Sequence, residues 1–369
     1  MTKTLKMNVG IIGCGEISRF YIDSCKKFNN LNIFACADII EEKAEAISKE
    51  FCLKAYSINH LLGDPQIDVI LNLTVPQAHA KVGLAALEAG KHLYNEKPLA
   101  FKCDDAKKML NIAEKKRLLI GCAPDTFLGG GLQTCRKIID DGLIGELVGC
   151  TCFMMQHGTE NWHPNPEFHY KQGSGPMFEM GPYYLTALIS LMGPIHQVTG
   201  SGRITFPERI ITSEPKRGQK IKVEVLTYLA GLMNFKNGAI GTIVTSFDVW
   251  ATKLPSIEIY GTEGTLSVPD PNTFGGPVQI CHANSDNWQN VPLTYGYTEQ
   301  SRGIGLADMA YAIRYGRPHR ASGRMAYHVL EIMSAINQAC NEKRSINIIS
   351  TCERSEPLPI GLKDGLLDL

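Results

Sequence analysis

Short apolar runs and amphipathic segments alternate through the first third of the chain. Met7–Ile12 is an apolar run of strand length that stops at Gly13-Cys14-Gly15, as a buried strand does. Glu16–Phe28 follows with helical spacing, and Leu31–Ala37 is a second apolar strand closed by Asp38. A Glu-, Lys- and Ala-rich helix is predicted over Glu41–Phe51, then a strand over Asp68–Leu73 that Thr74-Val75-Pro76 breaks. Gln77–Ala89 reads as a helix with Val82, Ala85, Ala86 and Ala89 on one face, ended by Gly90. Strand Lys91–Asn95 runs into Glu96-Lys97-Pro98. Helix Asp104–Lys116 has acids in its first turn and lysines in its last, and strand Leu118–Cys122 completes the series. This alternation predicts an α/β unit with a doubly wound parallel sheet over residues 1–124.

From about Asp125 the pattern changes. Leu132–Asp141 is a helix closed by Gly142, and Leu147–Met155 is a strand. Strands then dominate, over Val198–Thr205, Lys222–Phe235, Ala239–Val249 and Ser256–Tyr260, with Lys236-Asn237-Gly238 as a hairpin turn. Runs of strands without intervening helices predict an α+β domain over residues 125–369, built on a large, mainly antiparallel sheet. Ile304–Tyr315 and Arg324–Cys340 are predicted helices that return towards the first domain. Met177–Met192 is apolar with helical spacing. Pro182 is accommodated if that helix begins near Glu179, because the first turn needs no N–H partner. Glu179 and Tyr183, four apart, then share a face.

The chemistry collects at the carboxyl ends of the first strands. Gly13–Glu16, Asp38, Thr74–Pro76, Glu96–Pro98 and Asp125 all follow predicted strands, and in an open parallel sheet those ends form one edge where ligands bind. Gly13 allows a tight turn, Gly15 lets the backbone approach a pyrophosphate, and Ser18 takes the third small position of a G-x-G-x-x-[GAS] fingerprint. The free N–H groups of the helix that starts at Glu16 and Ile17 complete an anion site. Asp38, 23 residues beyond Gly15, can accept bonds from both ribose hydroxyls and would repel a 2′-phosphate, so NAD is favoured over NADP.

Composition narrows the partners. Lys plus Arg and Asp plus Glu are 37 each, so the basic surplus of a nucleic-acid binder is missing. The apolar run Val9–Ile12 is too short for a secretory signal, and no stretch reaches the ~18 apolar residues of a membrane span. The 12 cysteines show no C-x-x-C pair, and reduced, buried thiols in a cytoplasmic protein are expected. His157, His163 and His169, six apart, lack the tight spacing of a zinc site, and no metal is expected.

These residues resemble the Gfo/Idh/MocA family of oxidoreductases. The matching text is Gly10-Ile11-Ile12-Gly13-Cys14-Gly15, Val75-Pro76-Gln77-Ala78-His79-Ala80, Ala89-Gly90-Lys91-His92, Glu96-Lys97-Pro98, and Gly173-Ser174-Gly175-Pro176-Met177-Phe178-Glu179-Met180-Gly181-Pro182-Tyr183. The resemblance implies that Lys97 bonds the reacting hydroxyl of a sugar, sugar derivative or cyclitol, after a peptide that is often cis. It implies cofactor contacts from Gly13, Cys14, Gly15, Glu16, Ile17, Asp38, Thr74, Pro76, His79, Glu96 and Lys97. In the family the positions of Glu179 and Tyr183 are commonly Asp and His, the His being the proton-transfer group, so this chain departs there. A free phenol keeps its proton to about pH 10, and a neighbouring ammonium favours the phenolate. Lys97 and Tyr183 are therefore expected to act together, with Glu179 supporting. Asp125 and the loop residues Trp162, His163 and Tyr170 are candidate substrate contacts, since rings can stack on the C–H faces of a sugar. The resemblance also implies a homodimer or homotetramer through the second-domain sheet. NAD-dependent glycosidases and non-catalytic NAD-binding regulators of the same family are the alternatives.

Overall fold

The computed structural model describes residues 6–368. The first unit runs β1 (Met7–Ile12), α1 (Glu16–Cys25), β2 (Leu31–Ala37), α2 (Glu41–Phe51), β3 (Lys54–Ala55), α3 (Ile58–Gly63), β4 (Val69–Asn72), α4 (Pro76–Glu88), β5 (His92–Asn95), α5 (Cys103–Lys116) and β6 (Ile120–Cys122). Its six strands form one sheet in the order β3-β2-β1-β4-β5-β6, every pair parallel. The order reverses between β1 and β4, which opens a crevice at their carboxyl ends. Val9, Ile11, Ile70, Leu71 and Leu93 are fully buried, because helices cover both faces of the sheet.

The chain continues through α6 (Gly130–Asp140), β7 (Leu147–Met155), α7 (Pro176–Met192), β8 (Ile195–Arg203), β9 (Glu208–Ile210), β10 (Lys220–Lys222), β11 (Tyr228–Phe235) and β12 (Ile240–Ser246). It ends with β13 (Ile257–Gly261), β14 (Gly264–Val268), β15 (Val278–His282), β16 (Gln289–Val291), α8 (Ile304–Tyr315), α9 (Gly323–Glu342) and β17 (Ile346–Asn347). A nine-stranded sheet has the order β16-β15-β14-β13-β7-β12-β11-β8-β17. It is antiparallel except where β12 lies parallel to β7.

One face of this sheet, carrying Leu229, Met233, Ile243 and Cys152, is buried beneath α7 and α9. The other face leaves Leu232 and Ile240 about half exposed, at 48% and 56%. Helices α8 and α9 pack back onto β6, and the Cys122 amide donates to the Ala321 carbonyl at 3.0 Å.

Two sequence expectations change. Helix α7 starts at Pro176, so Pro182 lies in its interior and not in its first turn. Proline has no N–H to offer the Phe178 carbonyl and its ring crowds that turn. The apolar run Lys222–Phe235 is two strands, β10 and β11, and not one. Between them the Val223 amide turns to the Pro207 carbonyl and the Glu224 amide to the Tyr170 carbonyl, at 3.0 and 2.9 Å, so the chain leaves the large sheet to cover the loop below it. The hairpin at Lys236-Asn237-Gly238 is present, with Gly238 at φ +91° and β11 antiparallel to β12.

Candidate active site

The glycine turn follows β1. Gly13 has φ +106°, and a Cβ there would lie 2.6 Å from the Leu73 carbonyl carbon and oxygen, so only glycine lets the turn pack against the end of β4. Gly15 caps α1 without a side-chain hydrogen bond, and a Cβ built on it meets nothing within 4 Å. Behind it, the buried Ser18 donates through Oγ to the Gly15 carbonyl at 2.6 Å. The first turn of α1, at Glu16 and Ile17, thus has no side-chain cap, and the space over Gly15 is open.

Asp38 ties this turn to the end of β2. Its Oδ2 accepts the Cys14 amide at 2.7 Å and its Oδ1 the Ile40 amide at 2.9 Å. Ile39 and Val75 are 87% and 63% exposed at the same edge, two apolar side chains flanking the crevice. An open cradle of amides, a carboxylate at the end of β2 and flanking apolar surface fit a dinucleotide: phosphates at the cradle, ribose at Asp38, a base between the apolar side chains.

The Glu96-Lys97-Pro98 segment leaves β5, and the Lys97–Pro98 peptide is cis. Glu96 accepts the Tyr21 hydroxyl at 2.7 Å and the Lys97 amide at 2.8 Å. His79 is buried, with Nδ1 2.7 Å from the Pro98 carbonyl and Nε2 2.9 Å from the Thr74 carbonyl. Burial pushes its pKa down. It braces two loops at the crevice and shows no ring edge to solvent. Thr74 is tied through Oγ1 to Asn72 Oδ1 at 2.7 Å, and Pro76 opens α4.

Lys97 Nζ donates to the main-chain carbonyl of Glu179 at 2.8 Å, one residue beyond the carbonyl that Pro182 leaves without a donor. The same ammonium is 5.4 Å from the centre of the Tyr183 ring. Glu179 and Tyr183, one turn apart on α7, thus meet Lys97 from the other sheet. The Glu179 carboxylate is held by Ser174 Oγ at 2.5 Å and by His169 Nδ1.

Two residues at this corner escaped the sequence reading. His169 was visible only as a spaced histidine. Arg302, just before α8, donates to Gln300 and Asn272, both at 2.9 Å. Burial works against the Arg302 cation, but Tyr183, Asp125 and Tyr21 outweigh it and raise its pKa. Two cations therefore flank Tyr183. Nothing local in Ser301-Arg302-Gly303 announces this, because the loop reaches the site only when α8 packs back on β6.

Other candidates fall elsewhere. Asp125, expected to touch substrate, is buried and accepts the Gly303 and Gly305 amides at 2.8 and 3.0 Å. It caps the start of α8, and burial raises its pKa. Tyr170 is fully buried, with its ring on Arg209 and its hydroxyl donated to Glu160, so it faces an interior ion cluster and not a sugar. Trp162 is exposed and stands edge-on to His163, which stands edge-on to His169. Among the described residues no three His, Cys, Asp or Glu side chains converge as a metal site.

Comparison with known proteins agrees with this geometry. Residues 7–123 match the profile of an oxidoreductase family with an NAD-binding Rossmann fold, and residues 132–267 match the GFO/IDH/MocA C-terminal domain. The chain is 22% identical to myo-inositol 2-dehydrogenase of Thermotoga maritima over 348 residues, covering 93% of this chain and 98% of the relative. It is 22% identical to D-xylose dehydrogenase of Paenarthrobacter nicotinovorans, covering 79% and 80%. In fold it superposes on a levoglucosan dehydrogenase solved with NADH and L-sorbose, with a TM-score of 0.81, 22% identity, and 94% and 100% of the two chains covered. An NAD-binding oxidoreductase from Klebsiella pneumoniae superposes with a TM-score of 0.82 at 23% identity, over 94% and 99% of the two chains. With both of its halves matched and the cofactor crevice and Glu-Lys-Pro lysine in place, this chain belongs to the GFO/IDH/MocA family of NAD-binding oxidoreductases.

Proposed function

We propose that this chain interconverts a ring carbinol of a sugar, sugar derivative or cyclitol and the corresponding ketone or lactone. The observation that carries the reading is the convergence of Lys97 and Tyr183 in one corner of the crevice, with Lys97 Nζ 5.4 Å from the Tyr183 ring centre. The named activities of the relatives, on inositol, xylose and levoglucosan, support a small polyol substrate.

A nicotinamide dinucleotide, when bound, supplies the hydride acceptor or donor. Gly13, Cys14, Gly15, Glu16 and Ile17 would hold its phosphates and Asp38 its ribose, with NAD preferred over NADP. Thr74, Pro76 and Glu96 shape the inner wall, and His79 braces it through the Pro98 and Thr74 carbonyls. Lys97 spends one N–H on the Glu179 carbonyl, so its other two can bond the substrate hydroxyl oxygen. Tyr183 would bond the same hydroxyl from its other side, so that the pair orients its proton for removal, and Glu179 fixes the corner. Trp162 and His163 would meet the rest of the ring.

The functional units are residues 1–124 for the cofactor and 125–369 for substrate and assembly. The outer sheet face with Leu232 and Ile240 is the surface through which a homodimer or homotetramer would form. No helix among the described residues is long and apolar enough to cross a membrane, and the cytoplasm is the proposed compartment.

The test is a panel of free sugars, glycosides and inositols with NAD+, read for NADH absorbance and by product chromatography. Accumulating NADH with one class of polyol supports the reading. Cleaved glycoside without NADH replaces it by oxidation–elimination chemistry. Silence in both channels, with NAD+ bound, replaces it by a binding role.

A further inference from the structure

Lys97 and Tyr183 pose a proton problem. An alcohol releases hydride readily only as its O–H proton leaves. An ammonium and a phenol in their ordinary neutral-pH forms are both proton donors. Something beyond them must accept.

The corner holds two bases, the Glu179 carboxylate and the His169 imidazole, and the carboxylate is already engaged by Ser174 Oγ and His169 Nδ1. His169 comes from the loop before α7, and its side chain is 8% exposed. Its Nδ1 meets the Glu179 carboxylate, which accepts only, so Nδ1 carries the hydrogen and Nε2 carries the lone pair. Nε2 is buried and has no hydrogen-bond partner among the described residues. A buried imidazole nitrogen is rarely left unpaired. The ring is held on its faces and edges by Phe168, at 3.8 Å between centroids, and by His163, at 4.9 Å. Glu179 connects it to the rest of the site, since its carbonyl holds Lys97 Nζ and its helix carries Tyr183 one turn on.

We propose that His169 Nε2 is the acceptor of the substrate hydroxyl proton, with Glu179 as the positioning carboxylate. This rests on the dehydrogenase reading above. In the oxidation direction the O–H bond breaks, its proton moves to Nε2, and the C–H hydride leaves to the oxidised nicotinamide. The imidazolium formed keeps its Nδ1–H on the Glu179 carboxylate. In reduction the same proton returns. The acceptor thus comes from the loop before α7, while α7 presents Tyr183. The charged and titratable groups around the ring are Glu179 on α7, His163 and Glu167 on its own loop, and Lys97 through the Glu179 carbonyl.

The test uses the full chain with its best polyol. His169→Asn keeps a donor where Nδ1 stands and removes Nε2. Turnover should fall by about 10²–10⁴-fold, the usual span for a lost acid–base group, while NADH affinity by fluorescence titration stays within about threefold. The pH profile of kcat should change with it. Added imidazole should restore part of the turnover in His169→Gly. Independently of turnover, NMR of histidine-labelled protein should show the His169 Nδ1–H signal moving upfield in Glu179→Gln, because its hydrogen bond no longer ends on a carboxylate.

Wild-type-like turnover and pH profile in His169→Asn, with Lys97→Ala inactive, overturns the dyad and leaves the dehydrogenase standing. A parent protein that oxidises no polyol overturns both. An unchanged His169 Nδ1–H signal in Glu179→Gln overturns the role given to Glu179.

Discussion

Arg209 allows the most quantitative prediction. Its side chain is 3% exposed and lies between Glu160 and Asp248, themselves 8% and 5% exposed. Nη1 donates to Glu160 at 2.5 Å, and Nη2 to Asp248 and to the Phe247 carbonyl, the latter at 2.8 Å. Asp248 also accepts the Thr227 hydroxyl at 2.7 Å, and Glu160 accepts the Tyr170 hydroxyl. Arg209→Met keeps an apolar stem of similar reach and removes the guanidinium, leaving two carboxylates buried together with no cation. Removing one partner of a buried pair costs about 3–5 kcal/mol. At roughly 2–4 °C per kcal/mol for a chain of a few hundred residues, the Tm should fall by roughly 6–20 °C. Tyr170 and Glu160 anchor the loop that carries His163 and His169, so KM for the polyol should rise as well. Calorimetry at neutral pH gives the first number and steady-state kinetics the second. Adding Glu160→Gln and Asp248→Asn should return much of the lost stability, because neutral partners no longer require the cation. An Arg209→Met protein melting within about 2 °C of its parent refutes the reasoning.

Four further predictions concern other parts of the molecule. His328 is buried, with Nε2 accepting the Ile195 amide at 3.2 Å, and burial lowers its pKa to about 4. A depressed folded pKa means full stability above about pH 6.5, lost as pH falls towards 4, with a total of roughly 3 kcal/mol at about 1.4 kcal/mol per unit. His328→Gln should flatten that acid limb in a series of melting curves, and an unchanged limb assigns it elsewhere. Gly13→Ala places a Cβ against the Leu73 carbonyl at φ +106° and should lower the Tm by several degrees. Gly15→Ala, which meets nothing, should melt like the parent yet bind NADH at least about tenfold more weakly, because its Cβ holds the pyrophosphate off the amides, at a cost of about one charged hydrogen bond. Asp38→Asn should raise the NADP/NAD affinity ratio by about tenfold or more in fluorescence titrations, since the repelling charge is gone. A fixed ratio removes Asp38 from cofactor selection.

The first unit was legible because its signals are local. A strand, a glycine turn, a helix start and a terminal acid lie within Met7–Asp38, and each is dictated by neighbours in sequence. The strand-rich second unit was legible in class, through the Asn237-Gly238 turn and the apolar runs. The gap between β10 and β11 was not, because Val223 and Glu224 are diverted by partners at Pro207 and Tyr170, far away in sequence. Asp125 and Tyr170 carry the residue types of a sugar site, but their surroundings turn them inward, to the α8 amides and to the Arg209 cluster. Lys97 and Glu179 could be named from motif text. Their bond through the Glu179 main chain could not, since it depends on two sheets meeting. Arg302 and His169 reach the site only through the docking of α8 and of the loop before α7, and no spacing encodes that.

The most direct measurement is the rate of NADH formation by the parent protein and by Lys97→Ala with the best polyol, alongside NADH affinity for both. Turnover should fall by two or more orders of magnitude in the variant, roughly 3 kcal/mol of lost transition-state stabilisation, with cofactor affinity nearly unchanged. Equal turnover in the two proteins, with both binding NADH, contradicts it.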